Sequence, residues 1–546
     1  MSYETKEAIA SDSSLQHGAA AAGVDLNARR RAALAEIDNA KFSFFHVKAC
    51  AVAGVGFFTD AYDIFAINLA VGAIGYVYNM ESHGGALTAN QDLGLKIATP
   101  VGTLIGQVLF GYLADVVGRK RMYGLELIII IIATLGQAVA GHAPAISIIG
   151  VLVMWRFVMG VGIGGDYPLS AVITSEFAAT RIRGRMMTAT FWSQGWGQLG
   201  AAIVAVVSLS AFKSSILNDP INGARHYDTV WRLILGIGAV PGAVALYFRL
   251  TLPETPRFTM DVERNIKQAA TDVDAFLQTG GYVQDSTPVV QHLEAPKASW
   301  RDFCNHFGQW KHGKVLLGTA YSWFALDVAF YGLGLNTSII LNAIGYGSVT
   351  TGTKQEQRYH TLFNNAVGNI ILVVAGLIPG FWAAFATIDW WGRKPIQLMG
   401  FTMLTILLCC MGFGYDKLKE NAVGAFVALY CLTNFFQNFG PNTTTFVIPG
   451  EVFPTRYRST AHGISAGSGK LGAIIAQVMA FKLKDRGGKN AWVKHILEIF
   501  ALFMLTGIFS TLLLPETKGK SLEELSGEDQ DNFVGAHQQV KGEQHA

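Results

Sequence analysis

Two aspartates lie in an apolar segment near the start of the chain, GVGFFTDAYDIFAINL. Asp60 and Asp63 are three residues apart, so a helix places both on one face. Two carboxylates that lie close together in an apolar region need not both be ionised, so such a pair can carry a proton. The pattern therefore predicts a proton-carrying pair, and the alternative is a polar pair at the wet end of a membrane span.

The segment GVGIGGDYPLSAVITSE contains Asp166 and Tyr167, and Arg156 lies ten residues before Asp166. Ten helical residues rise about 15 Å, which is too far for a direct ion pair. We therefore expect Arg156 to pair with an aspartate of the first segment, Asp60 or Asp63. The Gly-rich, Pro-ended stretch around Asp166 can unwind over a cavity. This set predicts the ionic part of a proton path, with Tyr167 as a donor to a substrate; a purely structural Arg–Asp pair is the alternative.

Polar residues recur at every fourth position in two later segments. In SWFALDVAFYGLG, Trp323, Asp327 and Tyr331 form one helical stripe. The same spacing recurs in NFFQNFGPNTTTF with Asn434, Asn438 and Asn442. Aromatic stripes are usually core packing, but a central aspartate and a face of amides favour a polar lumen.

Two further polar side chains lie in apolar segments. Lys470 is framed by glycines in GSGKLGA, and Gln194 lies in FWSQGWGQ. A buried ammonium group needs an anion, which is either a substrate or Asp327. The alternative is a lysine whose stem lies in the lipid while its head group reaches the interface.

Together these residues suit a tetrahedral oxyanion. Lys470 supplies the positive charge, and five other side chains can donate hydrogen bonds: Tyr167, Gln194, Trp323, Tyr331 and Asn442. Asp327 discriminates between oxyanions, because phosphate near neutral pH keeps a hydroxyl that can donate to a carboxylate. Sulfate has no proton to donate, so a buried acceptor excludes it.

The overall composition indicates what surrounds these residues. Of 546 residues, 51% are hydrophobic and only 15% are charged, whereas soluble domains contain about 25% charged residues. The mean hydropathy is +0.32. These values predict a membrane protein, and a net charge of +3 is too small to argue for nucleic-acid binding.

Twelve apolar runs have the length of a bilayer span, which is about 20 residues. They predict an all-α membrane protein with 12 transmembrane helices in two pseudo-symmetric six-helix halves. The runs are 48–77, 96–116, 122–141, 146–169, 187–210, 231–251, 314–334, 361–386, 395–414, 423–447, 460–482 and 494–514.

Polar segments divide the chain and predict its orientation. Lys and Arg concentrate in alternate loops, as in GRKR at 118–121 and RIRGR at 181–185, which places both termini in the cytosol. The polar ends, 1–40 and 525–546, are predicted to be disordered and contain lysines that ubiquitination factors could modify. We expect a cytosolic N-terminal tail, an N-terminal half, a cytosolic central loop, a C-terminal half and a cytosolic C-terminal tail at 1–47, 48–251, 252–313, 314–514 and 515–546.

The two halves contain the same short sequence motifs. Asp-x-x-Gly-Arg-Lys occurs at Asp115 and at Asp389, and Glu-x-x-x-Thr-Arg-x-Arg occurs at Glu176 and at Glu451. Pro-Glu-Thr follows both sixth spans. Such charges pair with carboxylates and with the carbonyls at helix C-termini. We expect a latch on the cytosolic face that opens in the other conformation; the alternative is charge that only sets the topology.

The loop motifs and both Pro-Glu-Thr sequences resemble the major facilitator superfamily, in its sugar-porter-like branch. The segments GGDYPLSAVITSE, FTDAYDIFAINL and GEVFPTRYRSTAHGISAGSGKLGA resemble the fungal high-affinity inorganic phosphate:H+ symporters, or phosphate permeases. The resemblance implies import of phosphate by proton symport across the plasma membrane, with rocking halves that alternate access.

The resemblance also implies roles for individual residues. The phosphate-binding set consists of Tyr167, Gln194, Trp323, Asp327, Tyr331, Asn442 and Lys470. The proton-coupling set consists of Asp60, Asp63, Arg156 and Asp166.

Several other functions are disfavoured by the sequence. It has no Walker loop, no metal-ligand spacing among its five cysteines and no assembled nucleophile and base. We therefore expect no enzyme activity, cofactor or metal. The expected partners are inorganic phosphate, protons and the lipid bilayer. The alternatives left open are a sugar or organic-ion carrier of the same fold, and a phosphate-sensing receptor that acts through cytosolic signalling factors.

Overall fold

The computed structural model describes residues 34–40, 42–79, 84–219, 223–250, 255, 257–258, 299–347, 349–488 and 490–527. Within these residues the chain is helical, apart from loops and one isolated bridge between Ala143 and Ile146. Most of the predicted tails and of the central loop lies outside the described residues, and so do the lysines of the polar ends 1–40 and 525–546.

We number the spans one to twelve in chain order. Spans one to four are single helices, whereas spans five and six each consist of two helices. The bounds are Phe44–Tyr78, Ala89–Val117, Arg119–Ala138 and Ile148–Phe177 for spans one to four, Arg183–Phe191 with Ser193–Ala211 for span five, and Gly223–Gly236 with Ala239–Leu250 for span six.

The second half repeats this arrangement with more interruptions. Span seven is bent by 58° between its two helices, and span eight contains a short π-helical turn, Val373–Leu377. The bounds are Trp310–Gly334 with Thr337–Ala343 for span seven, Lys354–Leu372 with Ile378–Trp391 for span eight, Arg393–Phe413 for span nine, Val423–Asn438 with Pro441–Val452 for span ten, Arg458–Leu483 for span eleven and Val493–Leu512 for span twelve.

The length and composition of these helices fit a membrane. Among the described residues, nine helices are long and apolar enough to cross a bilayer, and the bent pair of span seven makes ten. Spans five and ten, each divided into two helices, complete the twelve. The prediction of an all-helical protein is therefore confirmed.

Spans two and eleven bring the two halves into backbone contact. A Cβ atom on Gly463 would collide with the carbonyl oxygen of Gln107, and one on Gly111 would lie 2.7 Å from the carbonyl oxygen of Ser459. Only a residue without a side chain permits so close an approach. The halves therefore touch directly along this seam.

One end of the bundle, which we call the Arg-rich end, carries the repeated loops with Arg119, Arg183, Arg393 and Arg458. Asp115 of the first half accepts hydrogen bonds from the backbone N–H groups of Ser459 (3.3 Å) and Thr460 (2.7 Å) of the second half. At the equivalent place, Asp389 accepts from Gly184 (3.1 Å) and Arg185 (2.9 Å) of the first half. Each half thus caps the start of a helix of the other half, where a negative charge is favourable.

Buried ion pairs reinforce the Arg-rich end. Glu176 of span four lies 2.8 Å from Arg458 of span eleven and 3.6 Å from Arg119. Arg119 also donates to the carbonyl oxygen of Thr455 at 2.7 Å. The predicted pairing of loop charges with carboxylates and carbonyls is present, and its release in a second conformation stays a prediction.

The opposite end of the bundle is closed by weaker contacts. Lys96 donates to the side-chain oxygen of Asn336 at 3.3 Å, and Ser338 donates to the carbonyl oxygen of Asn68 at 3.4 Å. In the described ranges, no ion pair joins the two halves at this end. The space between the halves is therefore closed at both ends, and the ion pairs that join the halves among the described residues lie at the Arg-rich end.

Candidate functional site

A buried ion pair lies between the two halves. Lys470 of span eleven donates a hydrogen bond to Asp327 of span seven at 2.7 Å, and each side chain is only 2% exposed. Gly469 permits this contact, because a Cβ atom there would lie 2.7 Å from the Asp327 carboxylate. Neither side chain faces the lipid, so the predicted interior position of both is confirmed.

Side chains of the first half complete this chamber. The ammonium group of Lys470 lies 4.9 Å from the ring centre of Tyr167 and 4.5 Å from that of Tyr331. Gln194 donates to the hydroxyl of Tyr167 at 2.9 Å. Four spans that are distant in sequence therefore converge. We call the residues that meet here the central chamber: Tyr167, Gln194, Trp323, Asp327, Tyr331 and Lys470.

Aromatic rings close the chamber toward the Arg-rich end. The ring of Trp323 lies 6.3 Å from that of Tyr167 and 5.4 Å from that of His462, measured between ring centres. Next to these rings, Phe191 stacks on Phe446 with ring centres 4.3 Å apart. This layer joins residues of both halves, so it must part when the Arg-rich end opens.

Asn442 lies just after a break in span ten. Its amide donates to the side-chain oxygen of Asn438 at 2.7 Å. Span ten breaks between these residues, because the helix ends at Asn438 and a new helix begins at Pro441, which has no backbone N–H to continue the first one. The run predicted as one span, 423–447, is therefore divided into two helices, and the side chains of Asn438 and Asn442 stay in contact across the break. Among the described residues, no hydrogen bond joins Asn442 to Lys470.

Arg156 does not form the predicted ion pair with Asp60 or Asp63. Its guanidinium donates to backbone carbonyls, those of Leu95 (2.7 Å), Asp63 (3.4 Å) and Ile64 (3.5 Å). The side chain of Asp63 instead accepts from Thr134 at 2.7 Å. The reason is rotational: the carboxylate of Asp63 faces span three, whereas Arg156 faces span two and reaches only the backbone of span one.

Asp166 belongs to a buried ionic cluster. Arg249 of span six donates to Asp166 at 2.7 Å and to Glu126 of span three at 2.5 Å. Ser170 donates to the other oxygen of Asp166 at 2.5 Å. The guanidinium also lies 4.2 Å from the ring centre of Tyr123. Span four is helical throughout this region, so the predicted unwinding near Asp166 is absent from this conformation.

Asp60 lies between the central chamber and this cluster. It is fully buried, and neither of its carboxylate oxygens has a hydrogen-bond partner among the described residues. Its carboxyl group interacts electrostatically with Asp166, Arg249 and Asp63. It also interacts electrostatically with Tyr167 of the chamber. Asp60 is therefore the acidic side chain that stands between the two groups of polar residues.

Comparison with known proteins identifies the family. Residues 49–528 match the family described as "Sugar (and other) transporter". The chain belongs to this family.

Members with curated names cover nearly the whole length of this transporter. It is 53% identical over 524 residues to the "Repressible high-affinity phosphate permease" of Neurospora crassa, covering 92% of this chain and 90% of that protein. It is 52% identical to the "Inorganic phosphate transporter PHO84" of Saccharomyces cerevisiae, covering 91% and 87%, respectively. "Inorganic phosphate transporter 1-1" of Arabidopsis thaliana is 39% identical, with 91% and 97% covered. The predicted kinship with fungal phosphate permeases is confirmed.

Solved structures show the same fold. The major facilitator proton:xylose symporter XylE, bound to a bromodeoxyglucose, superposes with a TM-score of 0.65 at 21% identity, covering 89% of this chain and 99% of that chain. The inward-open form of XylE from E. coli gives a TM-score of 0.59. The transporter is therefore a multi-pass membrane protein of the major facilitator fold, and the predicted fold class is confirmed.

Sequence reasoning missed two members of the ionic cluster of this transporter. Glu126 is a lone acid in GLELIIIII, inside a predicted span, and that signal was available in the sequence. Arg249 lies at the end of span six, where a basic residue ordinarily indicates only the orientation of the span in the membrane. Its burial depends on the approach of spans three and four, which no local pattern reveals.

Proposed function

We propose that this transporter imports inorganic phosphate together with protons by alternating access of the two halves. The observation that carries the proposal is the ion pair between Lys470 and Asp327, which is buried in a chamber closed at both ends. The names of two relatives, a high-affinity phosphate permease and an inorganic phosphate transporter, support phosphate as the substrate. A charged pair inside the membrane is costly and is typical of a substrate or ion path.

The chamber suits phosphate because it offers both a cation and a carboxylate. An anionic oxygen of the entering phosphate accepts a hydrogen bond from the ammonium group of Lys470. The hydroxyl of the phosphate donates a hydrogen bond to Asp327. Sulfate would leave that carboxylate without a donor and is repelled by it. Tyr167, Gln194, Trp323 and Tyr331 supply further hydrogen bonds. Asn442, whose amide donates to Asn438 at 2.7 Å in this conformation, is proposed as a further donor.

Proton coupling is proposed for the acidic side chains of the first half. Import of an anion into a cell whose interior is electrically negative needs accompanying cations. Moving each negative charge inward costs about 2.3 kcal/mol per 100 mV of membrane potential. Asp60 can take up and release a proton without breaking a hydrogen bond to a described residue, because its oxygens make none. Asp63, Arg156 and Asp166 then position span one and carry charge next to it.

Orientation and location follow from the charges. We place the Arg-rich end, both termini and the central loop in the cytosol of a cell whose plasma membrane holds the transporter, in accordance with the excess of Lys and Arg in those loops. The five-part division of the chain at 47, 251, 313 and 514 fits the same orientation. In this assignment the ionic contacts close the cytosolic side.

Purified transporter in sealed liposomes tests the proposal. We expect labelled phosphate to accumulate in the liposomes when the outside is acidic. A sodium gradient without a pH gradient should not drive accumulation. Arsenate should compete with the labelled phosphate, whereas sulfate and glucose should not. Accumulation without any other protein excludes a receptor-only role. Uptake of glucose in place of phosphate, or uptake that is indifferent to the pH gradient, would contradict the proposal.

A further inference from the structure

A cavity with a basic side and an apolar wall lies at the Arg-rich end of the second half, apart from the central chamber. It has a volume of about 360 Å³ and lies between helix Trp300–Phe307, the start of span seven, the ends of spans ten and twelve, and the short C-terminal helix Leu522–Ser526. Ligand pockets commonly have volumes of about 300–1,000 Å³. Neither the transport site nor the contacts that close the Arg-rich end use this cavity.

The ionisable residues that line the cavity are all basic: His306, Lys311, His312 and Lys314. The rings of His306 and His312 stack with their centres 4.1 Å apart. Burial, together with His312 and Arg456, lowers the pKa of His306 to about 4. Within the described ranges, Lys311 and Lys314 form no ion pair. These two lysines are positive charges without a carboxylate partner among the described residues, and such charges attract an anion.

The remaining wall of the cavity is apolar and is formed by residues at the ends of spans. Val315, Leu512 and Leu514 come from the ends of spans seven and twelve. Two tryptophans belong to the helices that line the cavity: Trp310 directly precedes Lys311 and is 68% exposed, and Trp300 begins helix Trp300–Phe307 and is 63% exposed. Exposed tryptophans at span ends are typical of the membrane–water interface. An occupant of this cavity therefore meets both cations and hydrocarbon.

We propose that this cavity binds the phosphate-bearing headgroup of an anionic lipid from the cytosolic leaflet. Basic pockets between transmembrane helices on the cytosolic side bind such headgroups. Lys311 and Lys314 contact the phosphate group, and the leucines of span twelve contact the acyl chains. A free phosphate ion would leave that apolar wall uncovered. The cytosolic location rests on the proposed orientation of the transporter.

The lipid also connects two elements that otherwise meet at few points. A Cβ atom on Gly527, directly after the C-terminal helix, would lie 3.8 Å from the ammonium group of Lys311 and 3.5 Å from the ring of His312. Within that helix, Glu523 forms an ion pair with Arg257 at 2.9 Å. Burial alone would raise the pKa of Glu523, but the charge of Arg257 and its hydrogen bond lower it to about 2. A headgroup in the cavity therefore holds the start of span seven against an anchored helix.

The full-length transporter, purified and mixed with vesicles, tests this proposal. The vesicles contain phosphatidylcholine with or without a small fraction of phosphatidylinositol 4-phosphate, and the retained lipid is counted by native mass spectrometry. We expect specific retention of the anionic lipid. Lys311→Ala with Lys314→Ala should weaken retention by about 30-fold, since each lysine near an anionic surface strengthens binding by about fivefold.

The matched control removes the same charge from the opposite end of the bundle, with Lys417→Ala and Lys419→Ala in the exposed helix Tyr415–Asn421. This control should retain the lipid as the unmodified protein does, and both variants should unfold at the same temperature. Equal retention by both double variants would overturn the proposal. Displacement of the lipid by inorganic phosphate at equal concentration would overturn it in favour of a soluble ligand. The acidic residues Glu528, Asp529 and Asp531 follow Gly527 in the sequence. Lipid binding that appears only after residues 528–546 are deleted would identify that segment as the occupant and overturn the proposal as well.

Discussion

Lys470 and Asp327 form a hydrogen-bonded ion pair of 2.7 Å in the interior of a membrane-spanning bundle, where both side chains are almost inaccessible. The two residues come from spans eleven and seven, which are 143 positions apart in the chain. A phosphate ion that enters the chamber must compete with this pair for both partners. Substrate binding and the breaking of the pair are therefore a single event in this account.

Asp327→Asn should weaken phosphate binding by about 10- to 100-fold, because the carboxylate accepts a charge-assisted hydrogen bond worth about 1.5–3 kcal/mol. The same change should allow sulfate to compete, since the acceptor that repels it becomes neutral. Competition of labelled phosphate uptake measures both effects. Asp416→Asn is the matched control, because Asp416 forms an exposed pair of the same length with Lys494. Unchanged phosphate affinity in Asp327→Asn would remove Asp327 from the site.

Lys470→Ala should destabilise the protein by about 3–5 kcal/mol, because it leaves Asp327 as a buried charge without a partner. The double variant Lys470→Ala with Asp327→Asn should recover most of that loss, since no charge then remains unpaired, but it should not transport phosphate. Thermal unfolding in detergent and uptake in liposomes measure the two effects separately. A double variant that regains uptake would show that Lys470 acts only in folding.

Asp60→Asn should abolish phosphate accumulation driven by a pH gradient while phosphate exchange across the membrane survives. The amide has the shape of the acid but cannot carry a proton, and no described hydrogen bond to Asp60 is lost. Counterflow and pH-driven uptake in the same liposomes distinguish the two activities. Asp63→Asn is the comparison variant, because Asp63 accepts a hydrogen bond from Thr134. Loss of exchange in Asp60→Asn would place Asp60 in phosphate binding instead.

The two helix caps at the Arg-rich end, in which Asp115 and Asp389 each cap a helix of the other half, can be tested one at a time. Asp115→Asn should raise hydrogen–deuterium exchange at Ser459 and Thr460 of span eleven by about tenfold or more, because a hydrogen bond to a charged acceptor contributes about 1.5–3 kcal/mol. Asp389→Asn should do the same at Gly184 and leave Ser459 unaffected. Each variant is thus the control for the other. Exchange that rises equally in both halves in either variant would contradict two separate caps.

Much of this fold could be predicted because bilayer-length apolar runs and repeated loop motifs are local signals. The inward position of Lys470 and Asp327 could also be predicted, since an intramembrane charge has few stable alternatives. The partner of Arg156 could not be predicted, because it depends on how far each helix rotates about its axis. The break in span ten lies at Gly440 and Pro441, a recognisable stop signal that the four-residue spacing of the asparagines obscured.

The most direct test of the account is an experimental structure of the transporter saturated with phosphate. We predict the phosphate between spans seven and eleven, within hydrogen-bonding distance of both Lys470 and Asp327, with Tyr167 and Gln194 beside it and the direct contact between Lys470 and Asp327 broken. A phosphate bound elsewhere in the bundle, for example against Arg249, while Lys470 still contacts Asp327, would contradict the account.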